Sequence, residues 1–373
     1  MAGFGTNDDG LVLDLSLMNS IEILDEAAGL VRLESGAVWG DVTAKLAKYN
    51  LALSSGDTKS VGVGGLTLGG GIGWMVRKYG YAIDSLVAAE VVLANGSVVR
   101  ASESEHADLF WALRGGGNFG VVSSFEFKAH SHDKIVESVL MYGVNDLQKT
   151  ITGWRDHLRI APEDFTSFMT LLPGFGGASP SAMIMSCYAN DDLARANAVI
   201  DPLRQLGNMI SDDTSVKEYF EVLQEAHPPA GVKFVVKSMY AQTFTDDLAA
   251  VLNDICCKPG APIVQLRMMN GAVSNVDPDA TAMPHRHNEI FLFAGFPMPP
   301  DTSKEEEPRY LQAWEKLIAH SSGAYSGFLS TNSQEDIAQI YPHDTYRRLA
   351  EIKRTYDPEN IFSQNFNIPP VKT

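Results

Sequence analysis

The sequence predicts an α+β protein with two lobes, and three observations support this prediction. The chain has 373 residues, which exceeds the ~250–300 residues at which a single hydrophobic core usually stops growing. Short runs with alternating apolar residues, typical of antiparallel strands, recur between segments with helical spacing. Seven of the twelve residues from Gly62 to Gly73 are glycine. We therefore expect the lobe with this glycine cluster to carry the function.

The N-terminal 130 residues alternate strand-like and helical segments. The segment at 38–50 has helical spacing, with Val38, Val42 and Leu46 on one face. The dipeptide Asn95-Gly96 favours the positive φ angles of a tight hairpin turn. Strands are predicted at 11–16, 20–27, 29–37 and 118–130, a hairpin over 87–104, and helices at 38–50 and 105–115. Residues 54–80 are too rich in glycine to hold regular structure for long.

From about residue 131 the chain changes to longer alternating strands and amphipathic helices without glycine clusters. Strands are predicted at 134–142, 165–172, 181–189, 233–242, 263–273 and 288–296. Helices are predicted at 145–158, 191–206, 214–226, 245–257 and 308–320. A last helix has an apolar stripe of Tyr346, Leu349 and Ile352 and stops at Asp357-Pro358. This pattern indicates an antiparallel sheet covered by helices.

The charge and cysteine content exclude several classes of function. The chain has 29 Lys and Arg residues against 46 Asp and Glu residues, a net charge of −17. Because a nucleic-acid binder needs a basic surface, no nucleic-acid partner is expected. No run approaches the roughly 18 apolar residues of a membrane span, and residues 1–20 lack the pattern of a signal peptide, so we expect a cytoplasmic protein. Cys187, Cys256 and Cys257 have no metal-ligand spacing, and no metal site is expected.

Glycines at this density let the backbone approach a ligand closely and turn N–H groups toward an anion. A phosphate-bearing cofactor is therefore the first interpretation, and a purely structural glycine turn is the alternative. The dinucleotide fingerprint of NAD enzymes fits poorly, because the segment before the glycines, SSGDTKS, is not an apolar strand. Within the cluster, no GxGxxG starts from Gly62, Gly64, Gly71 or Gly73. A P-loop is excluded, because no Gly-Lys-Ser or Gly-Lys-Thr occurs.

Two long motifs resemble one known family. The run from SVGVGGLTLGGGIGWMVRKYG to GGGNFGVVSSFEF at residues 60–127 and the segment YDPENIFSQNFNI at 356–368 resemble FAD-linked oxidases of the berberine-bridge-enzyme type. The segment ATAMPHRH at 280–287 fits as well. The resemblance implies a PCMH-type FAD-binding domain at 1–130, a substrate domain with an antiparallel sheet covered by helices at 131–321, and a C-terminal segment at 322–373 that returns to the FAD domain. It also implies an oxidase flavoprotein of the kind found in secondary metabolism.

The resemblance assigns cofactor-binding positions. Along the FAD diphosphate and ribityl chain it places Ser60, Val61, Gly62, Gly64, Gly69 and Gly70. It places Gly120 and Val122 at the adenosine part, and Asn365 and Asn367 at the flavin ring. Backbone donors suit phosphate, and side-chain amides suit the mixed donors and acceptors of the flavin edge.

The sequence departs from the family at the start. Such oxidases begin with a further subdomain that carries a histidine joined covalently to the flavin, whereas residues 1–6 here resemble the segment after that histidine. The cysteine that forms a second link in some relatives is replaced by Thr58. We therefore expect the first subdomain to be missing, FAD to bind non-covalently and weakly if at all, and a homodimer to be one way of covering the exposed cleft.

The resemblance further implies that a base takes a proton from an alcohol, amine or benzylic centre while hydride passes to flavin N5, with O₂ as acceptor and H₂O₂ as product. Tyr325, in the segment Tyr325-Ser326-Gly327-Phe328, is the candidate base. His285 is a lesser candidate, and the strand position used in some relatives holds Ala294. The alternative function is a flavin-free, degenerate fragment that binds a ligand or partner.

Overall fold

The computed structural model describes residues 4–7, 10–132, 134–143, 146–174, 179–225, 231–258 and 260–371. All statements on the fold concern these residues. They build two large antiparallel sheets, with the glycine-rich segment packed between them, and a small two-stranded sheet that pairs residues 51–52 with residues 130–131. None of the helices in these ranges combines the length and the apolar character needed to span a lipid bilayer.

The first sheet lies near the N-terminus and has the strand order β1-β2-β6-β4-β5. The N-terminal strands are β1 (Ile21–Asp25), β2 (Leu30–Glu34), β3 (Leu51–Ala52), β4 (Leu86–Val92), β5 (Val98–Ser102), β6 (Val121–Lys128) and β7 (His130–Ser131). The predicted hairpin is confirmed, since β4 pairs with β5 and Gly96 has φ +80°. Helices α1 (Trp39–Ala47) and α4 (Ala107–Leu113) bury their apolar faces in the core of this sheet.

The glycine-rich segment forms two short helices, α2 (Val63–Gly69) and α3 (Val76–Tyr79). Side chains between and beside them, such as Ile72 and Val76, pack against Tyr240 and Phe291 of the second sheet. This contact joins the two sheets, so the surface of the glycine-rich segment faces the space between them.

The second sheet has the strand order β11-β8-β10-β9-β13-β14-β12. Its strands are β8 (Ile135–Gly143), β9 (Phe165–Leu172), β10 (Ser181–Tyr188), β11 (Asn208–Lys217), β12 (Lys233–Ala241), β13 (Ile263–Met268) and β14 (Ile290–Met298). The helices are α5 (Leu147–Ile160), α6 (Leu193–Arg204), α7 (Asp246–Cys256) and α8 (Gln312–Ile318). Their apolar residues form one core with one face of the sheet.

Strand alternation gives the second sheet two different faces. Met169 and Ile184 point into the core under the helices. Their neighbours Phe168 and Met185 face the other side, toward the glycine-rich segment, where they line a cavity. The α+β prediction with an antiparallel sheet covered by helices is therefore confirmed.

Three sequence predictions differ from the structure. Residues 11–15 form no strand, and Leu11 and Leu13 are exposed. The helix predicted at 214–226 is wrong, because residues 208–217 form the edge strand β11. That strand is exposed along most of its length and is held by backbone pairing to β8, so its side chains carry no burial pattern. Helix α9 (Gln334–Ile340) was not predicted, whereas α10 (His343–Tyr356) ends before Asp357 as expected.

Candidate functional site

A continuous groove runs between the two sheets along the glycine-rich segment. It consists of three cavities of about 650, 400 and 640 Å³, and Gly65 lines all three. We call the first two the nucleotide groove, which extends from Val122 past Gly62 and Gly64 to Gly69 and Asn365. We call the third the inner chamber, which lies under the open face of the second sheet.

At four positions of the nucleotide groove, neither the backbone conformation nor the packing of the protein requires glycine. A Cβ added to Gly5, Gly62, Gly65 or Gly117 meets no atom within 4 Å. None of the four has a positive φ. All four line the nucleotide groove. Since neither backbone conformation nor protein packing requires glycine there, the open space at these positions leaves room for a ligand against the backbone.

Other glycines of the cluster serve the close packing of the chain. A Cβ at Gly73 lies 2.0 Å from the Ser55 carbonyl oxygen, and one at Gly71 lies 2.5 Å from Ala82 Cβ. The structural and the ligand-binding interpretations of the cluster therefore apply to different glycines.

The C-terminal tail forms one wall of the nucleotide groove and is held by a buried ion pair. Lys353 and Asp357 have side chains only 1% and 0% exposed and lie 2.7 Å apart. Lys353 Nζ also donates to the carbonyl oxygens of Asn118 and of Phe362. The Asp357 carboxylate accepts the backbone N–H of Phe362 at 2.9 Å. Lys353 thus ties the tail to the loop of residues 115–118 that forms the adjoining wall.

The two predicted amides lie on this tail. Asn365 lines the nucleotide groove with φ +58°, and its Nδ2 donates to the Phe4 carbonyl oxygen at 3.2 Å. The Oδ1 atom of Asn367 is buried and meets no hydrogen-bond donor within the described residues. A buried acceptor without a donor costs about 1–3 kcal/mol. Asn367 lines none of the three cavities, and its contact with a cofactor stays a prediction.

The inner chamber is lined mainly by apolar side chains, several of them aromatic, together with polar ones that include Thr58, Gln224 and Ser330. Phe293 stacks on Phe328 with ring centroids 4.4 Å apart, and Trp74 stacks on Phe168 at 4.3 Å. The apolar wall is completed by Leu66, Ile72, Val139, Met183, Met185, Val236 and Leu329. Such a wall favours a flat, apolar ligand over one that needs many hydrogen bonds.

Arg267 is the cation of the inner chamber and is 1% exposed. It forms an ion pair with Asp57, and its Nε donates to Gln265 Oε1 at 2.8 Å. Its guanidinium lies 4.3 Å from the ring centre of Phe168 and 5.0 Å from that of Phe328. Planar stacking on both rings fixes the orientation of the guanidinium.

Tyr325 lines the inner chamber where it meets the glycine-rich segment. Its hydroxyl oxygen accepts the Gly71 N–H at 3.0 Å, and its ring lies beside Gly70, which has φ +123°. Burial raises the pKa of Tyr325 to about 12, while the Gly71 N–H and the charge of Arg267 lower it. The hydroxyl is therefore neutral at ordinary pH and keeps its hydrogen for donation.

His285 lies outside the three cavities. One ring nitrogen is 2.9 Å from the Ile340 carbonyl oxygen, and the ring stacks on Tyr240 at 5.1 Å. Burial lowers its pKa. These contacts account for the histidine as a packing residue, and its catalytic role stays a prediction that the geometry does not favour.

The remaining predicted cofactor residues are distributed along the groove with two exceptions, Ser60 and the buried Gly70, which line none of the three cavities. Gly62, Gly64, Gly120 and Val122 line its first section, Gly69 lines the second, and Val61 lines the inner chamber. Ser60 is exposed, and its Oγ donates to Glu225 Oε2 at 2.9 Å. Sequence reasoning missed Arg267 and Asp57, although a charged residue within the apolar strand IVQLRM was a usable signal.

Two family models match the chain. The FAD binding domain model matches residues 1–102. The model named Berberine and berberine like matches residues 324–369. The two matches include the glycine cluster, Tyr325 and the C-terminal tail, which are the parts that build the groove.

Curated relatives and solved structures agree with these models. The chain is 31% identical to (R)-6-hydroxynicotine oxidase of Paenarthrobacter nicotinovorans, over 99% of this chain and 83% of the relative. It is 26% identical to glucooligosaccharide oxidase of Sarocladium strictum, over 99% of this chain and 80% of the relative. A crystal structure of 6-hydroxy-D-nicotine oxidase from Arthrobacter nicotinovorans superposes with a TM-score of 0.88 at 29% identity, covering 99% of this chain and 84% of that one.

A groove lined by open glycines, a tail of the berberine-like type and these full-length similarities together lead to one conclusion: the chain belongs to the FAD-linked oxidoreductases of the berberine-bridge-enzyme type.

Proposed function

We propose that the protein is an oxidase that removes hydride from a small, flat organic substrate held in the inner chamber. The observation that carries this proposal is the position of the chamber at the end of a groove whose open glycines leave room for an extended cofactor. Bound FAD would supply a hydride acceptor at N5, with O₂ as the final two-electron acceptor and H₂O₂ as the product.

We propose that FAD is held without a covalent bond. The residues that would hold it are Gly62, Gly64 and Gly65 along the backbone and the amides of Asn365 and Asn367 on the tail. Of the histidines that the structure describes, none lines the three cavities. Thr58, which lines the inner chamber, has no sulfur with which to form a thioether.

The chamber wall supports an aromatic substrate, such as a benzylic alcohol or amine, over a sugar. The names of relatives include both a nicotine oxidase and a glucooligosaccharide oxidase, so the family alone leaves this choice open. Every sugar hydroxyl that leaves water needs a hydrogen-bond partner. The stacked pairs Phe293–Phe328 and Trp74–Phe168 offer a single donor, the Trp74 indole N–H. An aromatic ring instead gains contact area with each of these faces.

Tyr325 is the residue we propose for proton transfer. Its oxygen accepts the Gly71 N–H, which stabilises a phenolate, and it lines the chamber. Because its pKa is raised to about 12, a base role requires a rate that rises with pH through the neutral and alkaline range. Tyr325→Phe removes the hydroxyl with little change of shape, and we expect a loss of roughly 10²–10⁴-fold in kcat/KM, as for other general bases.

The experiment is flavin analysis followed by an assay of H₂O₂ release. We expect the purified protein, or the protein after addition of FAD, to show a visible flavin band that is lost into the supernatant on acid precipitation. We also expect H₂O₂ release with benzylic alcohols or amines and none with glucose oligomers. A band that stays with the precipitate would refute non-covalent binding. Protein that takes up no FAD would refute the oxidase proposal and favour the flavin-free ligand-binding module.

A further inference from the structure

The polar floor of the inner chamber is a chain of four side chains. The Asp57 carboxylate pairs with Arg267, Arg267 Nε donates to Gln265, and Gln265 Nε2 donates to Thr170 Oγ1 at 3.0 Å. Asp57 and Arg267 are the charged residues among the described side chains that line the chamber. Their charges cancel, so the floor is polar but carries no net charge.

Arg267 has donors left over. A guanidinium has five N–H groups. Within the described residues Arg267 uses three of them, toward Gln265, Asp57 and the Ile72 carbonyl oxygen, the last at 3.2 Å. Two N–H groups of a side chain that is 1% exposed therefore remain without a recorded acceptor, in a residue that lines a cavity of about 640 Å³. Such buried donors are costly unless a ligand satisfies them.

We propose that Arg267 determines which substrates bind, by donating its two spare N–H groups to an uncharged acceptor on an aromatic substrate. A carbonyl, ether or hydroxyl oxygen meets this requirement, and so does the nitrogen of an amine that binds as the free base. A carboxylate would add an uncompensated negative charge beside Asp57, and an ammonium group would add a positive charge beside Arg267, and both cost free energy in a buried site. The inference rests on the proposed function in one respect, that the inner chamber is the substrate site.

The test uses four ligands that share one ring, none of which needs to be turned over. Their binding to the purified protein is measured by isothermal titration calorimetry under argon. Acetophenone offers a neutral acceptor, ethylbenzene offers none, benzoate is an anion and benzamidinium is a cation. Because a hydrogen bond from a charged donor contributes about 1.5–3 kcal/mol, we expect acetophenone to bind roughly tenfold to a hundredfold more tightly than ethylbenzene. Benzoate and benzamidinium are expected to bind no more tightly than ethylbenzene.

The double variant Arg267→Met/Asp57→Leu replaces the ion pair by apolar side chains, which a buried site often tolerates. We expect it to bind acetophenone and ethylbenzene equally. Arg155→Met/Asp246→Leu is the control for loss of an Arg–Asp pair elsewhere, because this pair, 2.6 Å apart, lies at the helices that cover the same sheet and lines none of the three cavities. Arg267→Lys keeps the charge but loses the planar fork, and we expect it to lose most of the preference for acetophenone.

The four ligands measured on the wild-type protein test the proposed selectivity even where a variant does not fold. Binding of benzoate as tight as that of acetophenone, an unchanged acetophenone preference in Arg267→Met/Asp57→Leu, or no binding of any of the four ligands would overturn the inference. Flavin content is measured separately. A protein without flavin that still prefers acetophenone refutes the oxidase proposal and retains the role of Arg267. A flavoprotein without this preference refutes the role of Arg267 and retains the oxidase proposal.

Discussion

Gly65→Ala separates stability from cofactor binding more sharply than any other single change in the groove. Gly65 lies in α2 without a positive φ, and an added Cβ meets no protein atom within 4 Å. Alanine in a helix interior is more stable than glycine by roughly 0.5–1 kcal/mol. We therefore expect the variant without flavin to unfold at the same temperature as the wild type or slightly higher.

The same methyl group projects into the groove where all three cavities meet. Forcing an extra methyl into a filled contact costs about 1–3 kcal/mol, which corresponds to a loss of roughly tenfold to a hundredfold in FAD affinity. Titration of FAD, followed by quenching of flavin fluorescence, measures this loss, and differential scanning calorimetry measures the stability.

Gly143→Ala is the matched control for both measurements. Gly143 lies at the end of β8, its φ is not positive, and an added Cβ makes an ordinary contact with Asn208 Nδ2 at 3.6 Å. It lines none of the three cavities. We expect its FAD affinity to equal that of the wild type. Wild-type FAD affinity in Gly65→Ala would refute the assignment of the groove, and a clear loss of stability would refute the absence of protein contacts at this glycine.

Two further changes test the surroundings of the site. Lys353→Met leaves the Asp357 carboxylate buried without its cation, which typically costs about 3–5 kcal/mol. Thermal unfolding should show the loss of stability and FAD titration a loss of affinity, and Lys353→Met/Asp357→Asn should recover part of both. Unchanged stability would contradict the role of the ion pair. Burial lowers the pKa of His132 to about 4, so between about pH 6.5 and 4 the unfolded chain takes up a proton that the folded chain does not. As the pH falls through this window, the free energy of unfolding should decrease by at most about 3 kcal/mol, at 1.36 kcal/mol per pH unit. Urea unfolding of His132→Phe should show a correspondingly flatter pH dependence, whereas an unchanged slope would assign the effect to other groups.

Local patterns predicted most helices and strands, because an element with one buried face has apolar residues at regular spacing in the sequence. The strands β9 and β10 and the helices α5 and α7 each have one face in the same core, and their apolar spacing was visible in the chain. The edge strand β11 was mistaken for a helix for the opposite reason. Its side chains are mostly exposed, and backbone pairing with β8, which leaves no trace in side-chain polarity, decides its structure.

The sequence by itself determined the family, the cofactor class and the glycine cluster, because these depend on residues that are close together in the chain. Only the tertiary structure distinguished the glycines that face open space from those that pack against backbone, since Gly65 and Gly73 belong to the same run and differ in what lies opposite them. It also brought Asp57 of the glycine-rich segment beside Arg267 of β13, 210 residues away. Charge pairing between distant segments is set by how the sheets pack, and therefore no local motif could reveal it.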